Sequence, residues 1–144
     1  MIEIERKFLV ISDEYKTSPS RHIRQGYVCS TENRVVRIRI IDDKAVMTLK
    51  NATVGFARNE YEYPIPLADA EEMLNTMCRQ PIIDKTRYYY TYGGHTWEVD
   101  VFHGNHEGLV IAEIELEHTT DTFLKPDFVG EEVTGNPDYY NSNL

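Results

Sequence analysis

The chain has 144 residues and a formal net charge of −9. This length suits one domain, predicted over residues 1–144, and the acidic balance argues against a nucleic-acid partner. No apolar run approaches the roughly 20 residues of a membrane-spanning helix, and the amino terminus lacks the apolar region of a signal peptide. These features predict a soluble cytoplasmic protein without nucleic-acid or membrane partners.

The first ten residues alternate between charged and apolar side chains, a pattern typical of a half-buried β-strand. Glu3, Glu5 and Lys7 share one face of this strand, and the other face is mainly apolar. A single strand of this kind would simply turn its charged face to water. The same one-sided pattern recurs along the chain with charges of both signs, and this recurrence needs a structural explanation.

Seven more strands are predicted after the first, and a polar turn over Ser12–Ser20 separates the first two. A loop is predicted over Asn51–Ala57, around Gly55. The predicted strands are, in chain order, His22–Ser30, Arg34–Ile41, Ala45–Lys50, Arg58–Ile65, Ile83–Tyr92, His95–Phe102 and Leu109–Glu117.

Helical spacing of apolar residues predicts one clear helix, over Asp69–Arg79, with acids in its first turn and Arg79 in its last. Pro81 follows it and stops it. The predicted fold class is therefore α+β, mainly β: a closed eight-stranded antiparallel barrel with a few peripheral helices. Closure of the meander would remove its exposed edges. The alternative is an open sheet whose charged face lies in water.

A barrel would enclose the charged faces of all its strands, which is costly unless a ligand or a metal neutralises them. Arginine and lysine bind phosphoryl oxygens, and clustered carboxylates bind Mg²⁺ or Mn²⁺, which in turn bridge phosphate oxygens. A lumen with both signs of charge therefore suits a polyphosphate bound together with divalent metal.

The segment Glu3-Ile-Glu5-Arg-Lys7 is the Glu-x-Glu-x-Lys signature that opens the CYTH superfamily, the triphosphate tunnel metalloenzymes. The chain resembles this family over nearly its whole length and is most similar to its short bacterial members, of the class IV adenylate cyclase and thiamine triphosphatase type. Further motifs follow in the family's order: Arg37-Ile-Arg39, Thr48-Leu-Lys50, Arg58-Asn-Glu60-Tyr-Glu62-Tyr, Lys85-Thr-Arg87, Trp97-Glu-Val-Asp100 and Ala112-Glu-Ile-Glu-Leu116.

The resemblance implies a tunnel whose basic side grips a triphosphate and whose acidic side holds divalent metal, Mg²⁺ or Mn²⁺. The metal-ligand candidates are Glu3, Glu5, Glu62, Asp100, Glu113 and Glu115, with Glu60 and Glu98 as secondary candidates. The implied phosphate-binding residues are Lys7, Arg37, Arg39, Lys50, Arg58, Lys85 and Arg87.

Tyr27 is a candidate general base, because a nearby lysine could lower its pKa, and Lys50 is the partner we predict. The other interpretation of Tyr27 is that it lines the tunnel for packing or for a hydrogen bond to phosphate.

The predicted function is metal-dependent hydrolysis of a triphosphate, either inorganic tripolyphosphate or a nucleoside or other organic triphosphate such as thiamine triphosphate. An adenylate cyclase and a non-catalytic polyphosphate-binding module are the alternatives. The short chain leaves little room for recognition of a base, which favours the hydrolase. The partner is a small-molecule triphosphate, and the sequence leaves open whether the chain forms a homodimer.

Asn136 is a good N-cap and Pro137 suits the first helical position, so a short helix is predicted over Pro137–Ser142. So short a helix forms only when it packs on the rest of the protein. We expect it to plug one mouth of the barrel, and the simpler alternative is a frayed terminus.

Overall fold

The computed structural model describes residues 2–54 and 57–144. Its regular structure is mainly β. The strands are β1 (Ile2–Val10), β2 (Ser20–Ser30), β3 (Arg34–Ile41), β4 (Lys44–Asn51), β5 (Ala57–Ile65), β6 (Ile83–Tyr92), β7 (His95–Phe102), β8 (Val110–Glu115) and β9 (Val129–Glu132). The described α-helix, α1, spans Leu67–Thr76. Short 3₁₀ turns lie at Glu14–Thr17, Gly104–His106, Pro137–Tyr139 and Asn141–Asn143.

The strands form an antiparallel sheet in the order β5-β4-β3-β2-β6-β7-β8-β1-β9. The first strand closes this sheet, because it pairs with β8 over Glu5–Leu9 and with β5 over Ile2–Ile4. Strands β1 to β8 therefore form a closed barrel, and β9 adds to the far end of β1. The predicted closed eight-stranded antiparallel barrel is confirmed.

Most predicted strands match the structure to within one or two residues, and three details differ. Strand β9 was not predicted, because its four residues are too few to show alternation. The helix α1 ends at Thr76, before Arg79. The terminal segment forms two 3₁₀ turns instead of one helix. Gly55, in the predicted loop, lies outside the described residues.

Large apolar side chains pack on the outside of the barrel. One cluster, which includes Phe8, Trp97 and Phe128, packs against the outer faces of β1, β7 and β8. A second lies between α1 and the outer faces of β3 and β4, where Leu74 is buried against Ile38. The helix and the segments that follow β8 thus bury the outer apolar faces of these strands, so that the inner faces can carry polar side chains.

A third apolar cluster lies inside the barrel, at one end of the lumen. It is built from residues that share the inward face of their strands with the charged set, among them Ile83, Phe102 and Ile111. Tyr139 and Leu144 of the carboxyl-terminal segment pack onto it. This segment therefore docks on the barrel interior.

No helix of the described residues is long and apolar enough to cross a membrane.

Candidate active site

A cavity of about 220 Å³ follows the charged lumen of the barrel. All the predicted phosphate-binding residues line it, and so does Tyr27. Among the predicted metal ligands, Asp100 does not line the cavity, whereas the other five do. The alternation seen in the sequence thus assigns nearly every candidate side chain to the inner face of its strand.

Asp100, on the inner face of β7, is fully buried against Lys85 and Arg87. Its carboxylate accepts a hydrogen bond from Lys85 Nζ at 2.8 Å, and bonds from Arg87 Nε at 2.7 Å and Arg87 Nη2 at 2.9 Å. Burial acts to raise the pKa of Asp100, but Arg87 and Lys85 outweigh it and hold that pKa well below its usual range. Both carboxylate oxygens are therefore engaged with cations, an arrangement that anchors the two basic residues.

Lys50, on β4, has carboxylate partners on two other strands, Glu3 on β1 and Glu60 on β5. Its ammonium donates to the two carboxylate oxygens of Glu3 at 2.9 Å and 3.1 Å, and Glu60 Oε2 is 3.3 Å away. Arg58 also approaches Glu3, with Nε 3.5 Å from Oε1. Nearby, Glu62 accepts a weak hydrogen bond from Thr48 Oγ1 at 3.4 Å. Lys50 is thus compensated within the protein.

Arg37 and Arg39 on β3 differ from the other basic residues, because their partners are neutral. Arg39 Nε donates to Gln25 Oε1 at 2.8 Å, and Arg37 Nη2 donates to Thr48 Oγ1 at 3.2 Å. Within residues 2–54 and 57–144, neither forms an ion pair with a carboxylate.

The two guanidinium groups therefore carry positive charge with which no carboxylate of the described residues pairs directly. Burial, together with repulsion by Arg37 and Arg87, lowers the pKa of Arg39 to about 9. Arg37 Nε is a buried donor without a hydrogen-bond partner among the described atoms. A buried donor without a partner is costly, and an anion bound in the lumen would supply the acceptor.

Strands β1 and β8 carry the opposite charge imbalance, a cluster of carboxylates. Burial raises the pKa of Glu5 to about 8, and the neighbouring carboxylates of Glu113 and Glu3 add to this effect. Burial also acts to raise the pKa of Glu113, but Lys7, 3.6 Å away, outweighs it, and the pKa falls to about 2. The two carboxyl groups share a hydrogen bond. Glu115, directly across the strand pair from Glu5, adds another carboxylate.

The arginines of β3 and the carboxylates of β8 lie on opposite sides of the barrel. In the closed sheet, three strands separate β3 from β8 in either direction, so the strands are diametrically opposed. The arginines of β3 therefore face the carboxylates of β8 across the lumen. A ligand between them would meet cationic donors on one side and acids on the other.

The acidic group can hold a divalent ion that is shared with a ligand. No three Asp, Glu, His or Cys side chains of the described residues converge into a complete metal cage. Mg²⁺, however, is usually bound by one or two carboxylates together with waters and phosphate oxygens. Glu5 and Glu113, whose mutual repulsion a cation would relieve, fit that requirement, with Glu3 and Glu115 beside them.

Tyr27 contacts partners other than the predicted one. Its hydroxyl accepts a hydrogen bond from Gln25 Nε2 at 3.2 Å, and the cations that interact with it electrostatically include Lys7 and Arg39. Lys50, predicted as its partner, instead binds Glu3 and Glu60. The structure thus brings Tyr27 and Lys50 to the same cavity without showing the predicted contact between them.

The carboxyl-terminal segment contributes directly to the site. Asn141 Oδ1 accepts hydrogen bonds from Lys85 Nζ at 3.0 Å and Gln25 Nε2 at 3.3 Å. Lys7 Nζ donates to the backbone carbonyl of Tyr139 at 3.2 Å and lies over the ring of Tyr140. Arg79 donates to the Ser142 carbonyl. This segment therefore closes one end of the lumen.

Three polar groups at the site have no role predicted from the sequence: Gln25, Thr48 and Asn141. The first two are fully buried and hold the arginines of β3. Their position on the charged face was visible in the strand alternation. Asn141 could not be assigned, because nothing in the tail's local pattern indicates which side chain enters the lumen.

A closed tunnel with uncompensated arginines opposite clustered carboxylates defines a class of protein that binds a polyanion together with a cation. The chain belongs to the CYTH domain family, whose model matches residues 1–141. Triphosphatases of this family are in general metal-dependent.

Relatives with assigned activities are similar over the full chain. An inorganic triphosphatase of Acetivibrio thermocellus is 49% identical over 143 residues, covering 99% of this chain and 92% of that protein. An inorganic triphosphatase of Nitrosomonas europaea is 36% identical over 148 residues, covering 100% and 97%. The crystal structure of the inorganic triphosphatase NE1496 superposes with a TM-score of 0.70 at 34% identity, covering 98% and 95% of the two chains.

Proposed function

We propose that the protein is a divalent-metal-dependent triphosphatase that hydrolyses inorganic tripolyphosphate inside the tunnel. The observation that carries this proposal is the charge imbalance across the lumen: Arg37 and Arg39 bond to neutral groups, and the carboxylates of Glu5, Glu113 and Glu115 cluster on β1 and β8. A triphosphate would neutralise the arginines, and the cation bound to it would relieve the repulsion among the carboxylates. The two curated relatives named inorganic triphosphatase support the same substrate.

In this proposal the basic residues that line the cavity bind and orient the phosphate chain. Arg37 and Arg39 donate hydrogen bonds to phosphoryl oxygens, and Arg37 Nε gains the acceptor it lacks. Lys85 and Arg87 contact the same chain from β6, held in place by Asp100. Lys7, Lys50 and Arg58 complete the basic lining. Asp100 has an anchoring role here and is not proposed as a metal ligand.

The proposed metal is Mg²⁺ or Mn²⁺, held by Glu5 and Glu113 with Glu3, Glu62 and Glu115 as further carboxylates of the lining. When bound, such an ion neutralises charge on the phosphate oxygens and lowers the pKa of a coordinated water. The carboxylates of this cluster also exclude a phosphate chain that carries no cation, because they would repel it. Tyr27, which lines the cavity, is the proposed group that accepts or donates a proton near the reacting phosphoryl group.

The closed end of the lumen favours a substrate without a large organic group. Tyr140, Asn141 and Ser142 line the cavity and occupy one mouth, so a triphosphate must enter from the other. A cyclase would need room for a ribose and a base in a reactive geometry. This is the reason for preferring inorganic tripolyphosphate over a nucleotide and hydrolysis over cyclisation.

The test measures phosphate release and cyclic AMP formation with tripolyphosphate, pyrophosphate, ATP and thiamine triphosphate, each with Mg²⁺, Mn²⁺ or excess chelator. We expect metal-dependent phosphate release that is fastest for tripolyphosphate, with no cyclic AMP. Undiminished turnover in chelator would remove metal from the mechanism, and cyclic AMP formation would replace the hydrolase with the cyclase.

A matched variant locates the metal on the acidic wall. Glu5→Gln removes a carboxyl group that can ionise when metal binds, with almost no change in size, so we expect a large loss of turnover and of Mn²⁺ affinity in a protein that still folds. Glu107→Gln, on an exposed turn, serves as the control. Unchanged turnover and unchanged Mn²⁺ affinity in a folded Glu5→Gln protein would exclude Glu5 as a metal ligand.

A further inference from the structure

Gln25 is a fully buried amide on β2, the strand between the basic residues of β3 and those of β6. Its oxygen accepts from Arg39 Nε at 2.8 Å, and its nitrogen donates to Tyr27 Oη at 3.2 Å and to Asn141 Oδ1 at 3.3 Å. It lies directly across the β2–β3 pair from Arg39. One neutral side chain thus joins a phosphate-binding candidate, a proton-transfer candidate and the carboxyl-terminal segment.

The orientation of this amide is determined by its partners. An arginine Nε can only donate, so the Gln25 oxygen must face Arg39 and the NH₂ group must face Tyr27 and Asn141. The same reasoning holds for Asn141, whose oxygen meets the ammonium of Lys85 and the Gln25 NH₂ group. Both amides are therefore held in one orientation, which is the requirement for positioning another group.

A neutral amide orients an arginine without removing its charge. The bond to Gln25 engages only Nε, so both terminal nitrogens of Arg39 remain for a ligand. A carboxylate at position 25 would instead pair with Arg39 and compete with phosphate. The other basic residues show this contrast, because Lys50, Lys85 and Arg87 are paired with acids.

We propose that Gln25 is a positioning residue for the reaction: it sets the guanidinium of Arg39 and the hydroxyl of Tyr27 relative to one another, and Asn141 holds it in place. The proposal rests on the proposed function, since it needs Arg39 to bind phosphate. Because the Tyr27 oxygen accepts from Gln25, the tyrosine's own hydrogen points elsewhere and is available to a group in the cavity.

The test compares Gln25→Met, which keeps the size but not the hydrogen bonds, with Gln25→Glu, which keeps the bond to Arg39 but adds a charge. Gln80→Met is the control, because Gln80 uses its amide for the carbonyls of Leu74 and Cys78, outside the lumen. We expect Gln25→Met to raise the KM for tripolyphosphate about tenfold, the loss of one hydrogen bond of ordinary strength. We expect a larger rise for Gln25→Glu, and no change in KM for Gln80→Met.

A double-variant cycle separates positioning from a general loss of stability. With Arg39→Ala already present, Gln25→Met should add little to KM, because the group it positions is gone. The kcat should still fall, because Tyr27 remains misplaced. Full additivity in KM, or wild-type KM and kcat in a folded Gln25→Met protein, would overturn the proposal. If Gln25→Met fails to fold, wild-type KM in Gln25→Glu overturns it instead.

The experiment also distinguishes this proposal from failure of the proposed function. If the wild-type protein releases no phosphate from tripolyphosphate, the proposed function fails. The Kd of tripolyphosphate, measured by calorimetry without turnover, then tests Gln25 alone. Weaker binding in Gln25→Glu than in Gln80→Met supports the positioning role, and equal binding ends it.

Discussion

Two walls of the lumen carry the same kinds of basic residue in opposite electrostatic states. On the β6–β7 wall, Lys85 and Arg87 are bonded to the buried carboxylate of Asp100. On the β3 wall, Arg37 and Arg39 are bonded to the neutral side chains of Thr48 and Gln25. A buried cation with a carboxylate partner is neutralised within the fold, whereas one with a neutral partner retains charge for a ligand.

The difference shows that lining a cavity does not by itself identify a binding residue. The pKa of Lys85 is lowered to about 7, mainly by burial, with Asp100 opposing the change and Arg87 and Arg39 adding to it. On this wall two carboxylates, Asp100 and Glu98, pair with the two basic side chains. The β3 wall is therefore the least compensated part of the basic lining.

The largest expected effect comes from removing the anchor of the compensated wall. Asp100→Asn leaves Lys85 and Arg87 as buried cations with too few acceptors, and we expect it to lower the free energy of unfolding by about 3–5 kcal/mol. Denaturation in urea measures this. Glu98→Gln is the control, because Glu98 also binds Arg87 but is one-third exposed, and it should cost about 0–1 kcal/mol. Equal losses for the two variants would contradict the anchoring role.

The complementary change on the uncompensated wall should affect binding and leave stability intact. Arg39→Ala removes a charge-assisted bond to phosphate, so we expect the affinity for tripolyphosphate to fall by about 1.5–3 kcal/mol, or roughly tenfold to a hundredfold. Because repulsion from Arg37 and Arg87 is relieved, the melting temperature should not fall as it does for Asp100→Asn. An unchanged Kd would place Arg39 outside the site.

The carboxylate cluster of β1 and β8 should make the protein less stable as the pH rises, which is the opposite of ordinary acid denaturation. The pKa of Glu5 is raised to about 8 in the folded protein, above its unfolded value, so its contribution to stability is complete at low pH and is lost as the pH rises through 8. In chelator, stability should therefore fall between about pH 5 and pH 8, by at most about 1.4 kcal/mol per pH unit for one proton.

Glu113 supplies the contrasting case within the same cluster. In the folded protein the pKa of Glu113 is lowered to about 2. Ionised Glu113 therefore stabilises the fold at any pH above its unfolded pKa, and this stabilisation is lost as the pH falls toward 2. Glu5→Gln should flatten the decline toward pH 8 and leave the acid limb in place. Thermal melts across this pH range measure both limbs, and a Glu5→Gln curve that still declines toward pH 8 would assign the proton to another group.

The smallest expected effect concerns the terminal segment. Truncation after Thr134 removes Asn141 from Lys85 and opens one end of the lumen. We expect the folded truncation to hydrolyse bulkier triphosphates better relative to tripolyphosphate. Activity ratios for ATP and tripolyphosphate measure this. Asn141→Ala, which leaves the segment docked through Tyr139 and Leu144, should change the ratio less. An unchanged ratio in the truncation would leave the segment with no role in substrate selection.

The amino-acid sequence alone determined the eight strands of the barrel, their inward faces and nearly all the lumen lining. This was possible because the period of two in a β-strand is a local property, and hairpin pairs such as β6–β7 keep their register across a short turn. It therefore predicted that Arg37, Lys85, Glu5 and Asp100 would share one enclosed surface.

Only the tertiary structure decided what each of these side chains does there. Glu5 and Asp100 have the same pattern in the sequence, yet their pKa values shift in opposite directions, because Glu5 lies beside other acids and Asp100 beside two cations. Those neighbours are set partly by pairings between distant strands, β1 with β8 and β2 with β6. The placement of Asn141 in the lumen likewise depends on how the tail packs. Electrostatic state depends on neighbours in space, and a local pattern cannot specify neighbours that closure of the barrel brings together.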